Sequence, residues 1–191
     1  MAQKALIIVD LQNDFCPGGA LAVPEGDKVV PVIQSWVNQF HQEREVIVTT
    51  QDAHPAHHIS FHERGGPWPP HCIEGTVGFR LHPDLWLPAD TPRFHKGFDL
   101  NRDAYSGFEA RLSEGGARTL PLAAFLHQEG VTDVYVAGLA TDYCVRATVL
   151  DAIKAGFKTW VIADGVRGVD VHSGDSDRAL VEMARHGAEL I

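Results

Sequence analysis

Short runs of branched apolar residues alternate along this chain with longer stretches in which apolar side chains recur every three or four positions. The continuous runs at 6–9, 46–48, 134–136 and 160–162 suit strands buried on both faces, as in a parallel sheet. Between them, Val29, Val32, Ile33, Trp36, Val37 and Phe40 fall on one helical face. Leu122, Phe125 and Leu126 mark a second helix, stopped by Gly130. Thr141 or Asp142 is placed to cap a third, which carries Val145, Thr148, Val149, Ala152 and Ile153 and ends near Gly156. A last helix is predicted over about 176–186, with Leu180 and Met183 inward, before a short strand at the C terminus. Strand–helix–strand alternation at this spacing predicts the α/β class: an open, mostly parallel sheet with helices on both faces.

The stretch 53–90 breaks this rhythm. It is rich in proline and glycine and holds six of the eleven histidines, and a loop that long inside a compact domain is usually functional. No repeat or low-complexity tract divides the chain, so residues 1–191 read as a single domain of ordinary size. Hydrophobic residues at 45% and charged residues at 21% are globular proportions, which sets disorder aside. The 16 basic and 25 acidic residues leave a net charge of −9, so neither nucleic acid nor an anionic membrane is an expected partner. Three cysteines, Cys16, Cys72 and Cys144, are too few and too odd in number for a disulfide framework and fit a reducing compartment. The first apolar run is short and ends in Asp10, which predicts neither a signal peptide nor a membrane span. The expectation is a soluble, cytoplasmic protein.

An open α/β sheet places its chemistry at the carboxyl ends of its strands. Asp10 closes the first apolar run, Lys96 follows 93–95, and Cys144 lies just past 134–136 in the turn that opens a helix. A cysteine in the first helical turn feels the positive end of the helix, which favours thiolate. With a carboxylate to take its proton and an ammonium nearby, it has the makings of a nucleophile; packed as a small hydrophobe, it has none. In a second group, Asp52, His54, His57, His58 and His71, the first two share one side of an extended segment, and His71 stands in the same long loop. A carboxylate and two imidazoles suit one divalent ion such as Zn²⁺, Fe²⁺ or Mn²⁺, although loop histidines also occur as solvated surface groups.

Five blocks, in order along the chain, carry a family resemblance: ALIIVDLQNDFCPGGAL at 5–21, TTQDAHPAHHISF at 49–61, WPPHCIEGT at 68–76, HKGFDLNRDAYSGFE at 95–109 and VYVAGLATDYCVRATVLDA at 134–152. The chain resembles the nicotinamidases, also called pyrazinamidases, of the isochorismatase-like cysteine hydrolases. The resemblance implies a three-layer, Rossmann-like fold and an amidase that converts nicotinamide, and also pyrazinamide, to the acid and ammonia through a cysteine thioester. It implies Asp10 as general base, Lys96 as triad lysine, Cys144 as nucleophile, and Asp52, His54 and His71 as metal ligands. His58 aligns with a histidine that neighbours or joins the metal in some members. Leu139–Ala140 matches a cis peptide, with the amides of Ala140 and Cys144 as oxyanion donors. Phe15, Trp68, Tyr105, Leu139 and Tyr143 match or complete a pocket for a flat ring. The partner implied is therefore a small pyridine or pyrazine carboxamide, with a role in NAD breakdown and recycling. Three departures from the family pattern, Ala53, Phe98 and Tyr143, bear on substrate preference rather than on reaction class.

Three other readings stay open at the level of sequence. One is a related cysteine hydrolase acting on a ureido, carbamoyl or similar small amide. Another is metal-activated hydrolysis without a nucleophile, and the third is a binding module that kept the pocket. Whether the protein is a monomer or a homo-oligomer is not written in the chain.

Overall fold

The structure is a computed structural model and describes residues 3–191. Its centre is an eight-stranded sheet in the order β5-β4-β3-β2-β1-β6-β7-β8. The strands are β1 (Gln3–Val9), β2 (Val46–Asp52), β3 (Arg93–Lys96), β4 (Arg111–Glu114), β5 (Ala117–Pro121), β6 (Val131–Leu139), β7 (Lys158–Arg167) and β8 (Glu189–Leu190). Neighbours are parallel except at one edge, where β3, β4 and β5 run antiparallel. The predicted apolar runs are the buried centres of β1, β2, β6 and β7. The hairpin β4–β5 lies outside the predicted apolar runs: it is polar, half exposed and turns through Gly115 and Gly116, both in the left-handed region.

Among the described residues four α-helices cover the sheet: α1 (Val29–Glu43), α2 (Leu122–Gln128), α3 (Arg146–Lys154) and α4 (Asp175–Arg185). Alternation along β1 divides the core in two. Leu6 and Ile8 pack with Ile33, Val37 and Phe40 of α1, whereas Ala5, Ile7 and Val9 pack with Leu126 of α2, Val149 of α3 and Met183 of α4. No helix among the described residues is long and apolar enough to cross a membrane.

β1 is flanked by β2 on one side and β6 on the other, so the direction of strand addition reverses at β1/β6. In open α/β sheets the crevice outside such a switch point is where ligands bind. Gly138 makes the close approach there possible: at φ +124° a Cβ would lie 2.0 Å from the Val9 carbonyl oxygen. The segment between β2 and β3 has no regular strand, yet short bridges fix it, His54 to Ile73, Phe61 to Trp68, and Leu81 to Gln12.

Candidate active site

Four ionisable residues stand at the carboxyl ends of adjacent strands. Asp10 follows β1 at φ +48°, a left-handed conformation that non-glycine residues seldom adopt and that turns the chain away from the ladder. Asp52 and Lys96 are the last residues of β2 and β3. Cys144 lies in a π-type turn, Thr141–Val145, between β6 and α3, a widened turn common at functional sites. All four are buried. The Lys96 ammonium lies 2.9 Å from Asp10 Oδ2, in contact with Asp52 Oδ1, and 3.4 Å from Cys144 Sγ. Asp10 Oδ1 accepts from Thr50 Oγ1 at 2.7 Å, while its Oδ2, despite the near ammonium, has no hydrogen bond of good geometry. Carboxylate oxygens of Asp10 and Asp52 and the Cys144 sulfur all lie within 4.8 Å of one another.

Burial sets the electrostatics. It pushes the Asp10 carboxyl up, against the pull of Lys96 and with a further push from Asp52. It pushes the Cys144 thiol well up too, with Lys96 opposing and both carboxylates reinforcing. The expected thiolate-favouring effect of the helix start is therefore outweighed, and the resting sulfur keeps its proton. Burial alone would discharge Lys96, but Asp10, Asp52 and Cys144 hold it well above its usual value. Asp52 goes the other way: burial would raise it, and Lys96, His54 and His71 together hold it below the usual carboxylate range. The site thus pairs a fully ionised Asp52 with an Asp10 that readily takes a proton, the divergence expected of groups with different tasks.

The second cluster opens directly from Asp52. His54 Nδ1 donates to the Gly97 carbonyl at 2.8 Å and His71 Nδ1 to the Pro69 carbonyl at 2.7 Å, the tautomers these acceptors require. The two Nε2 atoms then face Asp52 Oδ2, at 3.6 and 4.0 Å. Two imidazole nitrogens whose far sides are anchored on carbonyls, beside an ionised carboxylate, fit a divalent cation. His58 stacks on His54 at 4.1 Å between ring centroids, but its own nitrogens meet Ser60 Oγ and the Arg102 carbonyl. It backs the cluster rather than facing it.

One pocket joins the two groups: Cys144 and Ala140 line it together with Asp52 and His71. Phe15, Trp68, Tyr105 and Tyr143 also line it. Trp68 meets Tyr143 edge-on at 5.0 Å and donates through Nε1 to the Tyr105 hydroxyl at 3.0 Å. Burial holds that hydroxyl well above its usual value, so it stays neutral. Leu139 is not among the residues of the wall: it is wholly buried in the core on the α1 side. The Leu139–Ala140 peptide is cis. Leu21, Val23 and Val169 complete the apolar lining; Leu21 closes the first family block, while nothing in the sequence marks Val169. Asp142 does not cap the helix, because its carboxylate accepts from the Val169 and Asp170 amides at 2.9 and 2.8 Å and holds that loop against the pocket. Cys16 and Cys72 are buried, and burial pushes the Cys16 thiol up to about 11.

The isochorismatase domain model matches residues 4–191. The nicotinamidase of Escherichia coli is 42% identical over 205 residues, spanning 100% of this chain and 95% of that protein. The nicotinamidase/pyrazinamidase of Mycobacterium tuberculosis is 41% identical over 194 residues, 98% of each. Among solved structures, the pyrazinamidase of Pyrococcus horikoshii in complex with zinc superposes with a TM-score of 0.90 at 44% identity, covering 99% of this chain and 98% of that one. By these likenesses the chain belongs to the isochorismatase family, in its nicotinamidase/pyrazinamidase branch.

Proposed function

We propose that the protein hydrolyses nicotinamide, and likewise pyrazinamide, to the carboxylic acid and ammonia, with Cys144 as nucleophile. The observation that carries this reading is one pocket lined by Cys144, by Asp52 and His71 of a cluster suited to a cation, and by four aromatic side chains. Asp52, His54 and His71 would hold a divalent ion, which when bound supplies a Lewis-acidic anchor for a ring nitrogen. The aromatic walls hold the ring, leaving the carboxamide toward the cysteine.

Asp10 takes the Cys144 proton, and the sulfur attacks the carbonyl carbon. The amides of Ala140 and Cys144 donate to the developing oxyanion. Asp10 then gives its proton to the departing nitrogen, so ammonia leaves and a thioester remains. A water molecule, deprotonated by Asp10, adds to the thioester; collapse expels the sulfur, which regains its proton, and the acid leaves. Lys96 stays charged throughout, balancing Asp10 and Asp52 and the sulfur anion as it forms. Tyr105 and Tyr143 remain neutral and shape the pocket.

Ammonia release from nicotinamide by the metal-analysed protein, with benzamide as the paired substrate, tests this reading. Rapid release from nicotinamide alone is the expected result. Equal turnover of benzamide would remove the ring-nitrogen anchor and keep the cysteine chemistry. Release from neither, in folded and metal-loaded protein, would overturn the substrate class.

A further inference from the structure

We infer that Gln12 is a positioning residue, whose side-chain amide takes over the work of a strand backbone and fixes the direction of the Asp52 carboxylate. The inference rests on the reading of Asp52 as a metal ligand. β1 and β2 pair in register as far as Val9 and Thr50, and the last ladder contact is Asp10 N to the Thr50 carbonyl at 3.2 Å. At Asp10 the chain swings into its left-handed turn, and Gln12 N bonds back to the Asp10 carbonyl at 2.7 Å. β1 therefore stops two residues short of the end of β2, and the N–H and C=O of Asp52 on that side lose the backbone partners a longer strand would offer.

Gln12 supplies both. Its Oε1 accepts from Asp52 N at 2.8 Å, and its Nε2 donates to the Asp52 carbonyl at 2.9 Å and to the Phe79 carbonyl at 2.8 Å. The side chain is wholly buried, with both donors used and its oxygen engaged. On the opposite side, Ala53 N bonds the Lys96 carbonyl at 2.8 Å. Asp52 is thus gripped from both flanks at the end of its strand. Its side chain has only two torsions, so fixing the backbone largely fixes where its two oxygens go. One oxygen contacts Lys96, and the other faces the Nε2 atoms of His54 and His71. A shift in Asp52 would disturb the cation cluster and the Lys96 contact together.

Gln51 provides the matched control. It is also buried and also donates to the Phe79 carbonyl, at 2.9 Å, but it makes no side-chain bond to Asp52. The experiment measures Zn²⁺ affinity of the metal-stripped full chain by competition with a chromophoric chelator, and the visible absorption of the Co²⁺ form. Both are read in the absence of substrate, with near-ultraviolet circular dichroism to establish folding. Gln12→Met is expected to weaken Zn²⁺ binding roughly 10- to 100-fold and to alter the Co²⁺ spectrum. Gln51→Met should stay within about threefold of the parent. Folded Gln12→Met with parental affinity, or an equal loss in Gln51→Met, would overturn the inference. If Gln12→Met does not fold, Gln12→Asn keeps the amide but retracts it by one methylene, and the same loss is expected of it. Failure of the parent chain to bind Zn²⁺ would overturn the metal reading itself and this inference with it. A parent that binds Zn²⁺ but releases no ammonia from nicotinamide would overturn only the proposed reaction.

Discussion

Gly97→Ala puts one methyl group where the structure has no room for it, and the cost can be worked out from the surroundings. Gly97 sits at φ +63°, and an added Cβ would lie 2.5 Å from Cε1 and 2.7 Å from Nδ1 of His54. A left-handed alanine costs about 1 kcal/mol, and crowding a packed ring typically costs a further ~1–3 kcal/mol. The residue can avoid that only by moving the ring by about 1 Å, to ordinary van der Waals separation. His54 cannot move freely, because its Nδ1 donates to the carbonyl of that same glycine, so relief of the clash strains the bond that fixes its tautomer. We expect the variant to melt at a lower temperature, by about 2 kcal/mol or more of stability, and to bind Zn²⁺ roughly tenfold or more weakly. Calorimetric melting of the metal-free form and chelator competition of the same preparation read the two effects separately. A variant with parental melting temperature and parental Zn²⁺ affinity would refute the reasoning, since the methyl must be accommodated somewhere.

Other expectations are simpler. Cys144→Ala should lower nicotinamide turnover by several orders of magnitude, read as ammonia release from protein with unchanged metal content. Thr148→Val removes the hydroxyl that donates to the Cys144 carbonyl at 2.6 Å and accepts from Gly107 N at 2.8 Å; kcat should fall about tenfold with a smaller change in KM, equivalent to about 1.4 kcal/mol. His95 is held down to about 4 by burial, with Arg118 and Arg93 adding to the effect and Glu74 opposing. Its folded value lies below the unfolded one, so its neutral form contributes stability that is present above about pH 6.5 and is lost as pH falls toward 4. Melting curves from pH 7 to 4.5 should show His95→Phe losing less stability than the parent, by on the order of 2 kcal/mol after allowance for solvent screening; identical slopes would refute that assignment.

What the sequence could reveal depended on how local the controlling physics is. The α1 face, from Val29 to Phe40, and the apolar centre of β1 were readable because each is set by side-chain period alone. The β4–β5 hairpin has no such period: its side chains lie at a half-exposed sheet edge, and its one local signal, the Gly115–Gly116 pair, is a turn cue easily passed over. Asp142 looked like a cap because caps are local, but its partners, Val169 and Asp170, lie more than 25 residues away. Cys144 looked like a thiolate for the same reason. A helix start can be read from sequence, whereas burial beside two carboxylates cannot.

The charged residues at the strand ends are legible for a different reason. Asp10, Asp52 and Lys96 each stand at the end of a strand, and each is almost completely excluded from water. An isolated charge in such a place costs several kcal/mol, so three of them are tolerated only if they meet. In a sheet with β3, β2 and β1 side by side, residues ending these strands do meet, and the Lys96 contacts to both carboxylates are the result. Their charges still do not cancel: two carboxylates face one ammonium. The structure relieves that excess in two ways, by raising the proton affinity of Asp10 and by setting Asp52 against two imidazole nitrogens suited to a cation. The raised proton affinity of Asp10 and the cluster suited to a cation are thus two answers to one electrostatic imbalance. That common origin explains why Asp52 belongs to both, and why the groups that hold its backbone matter to both.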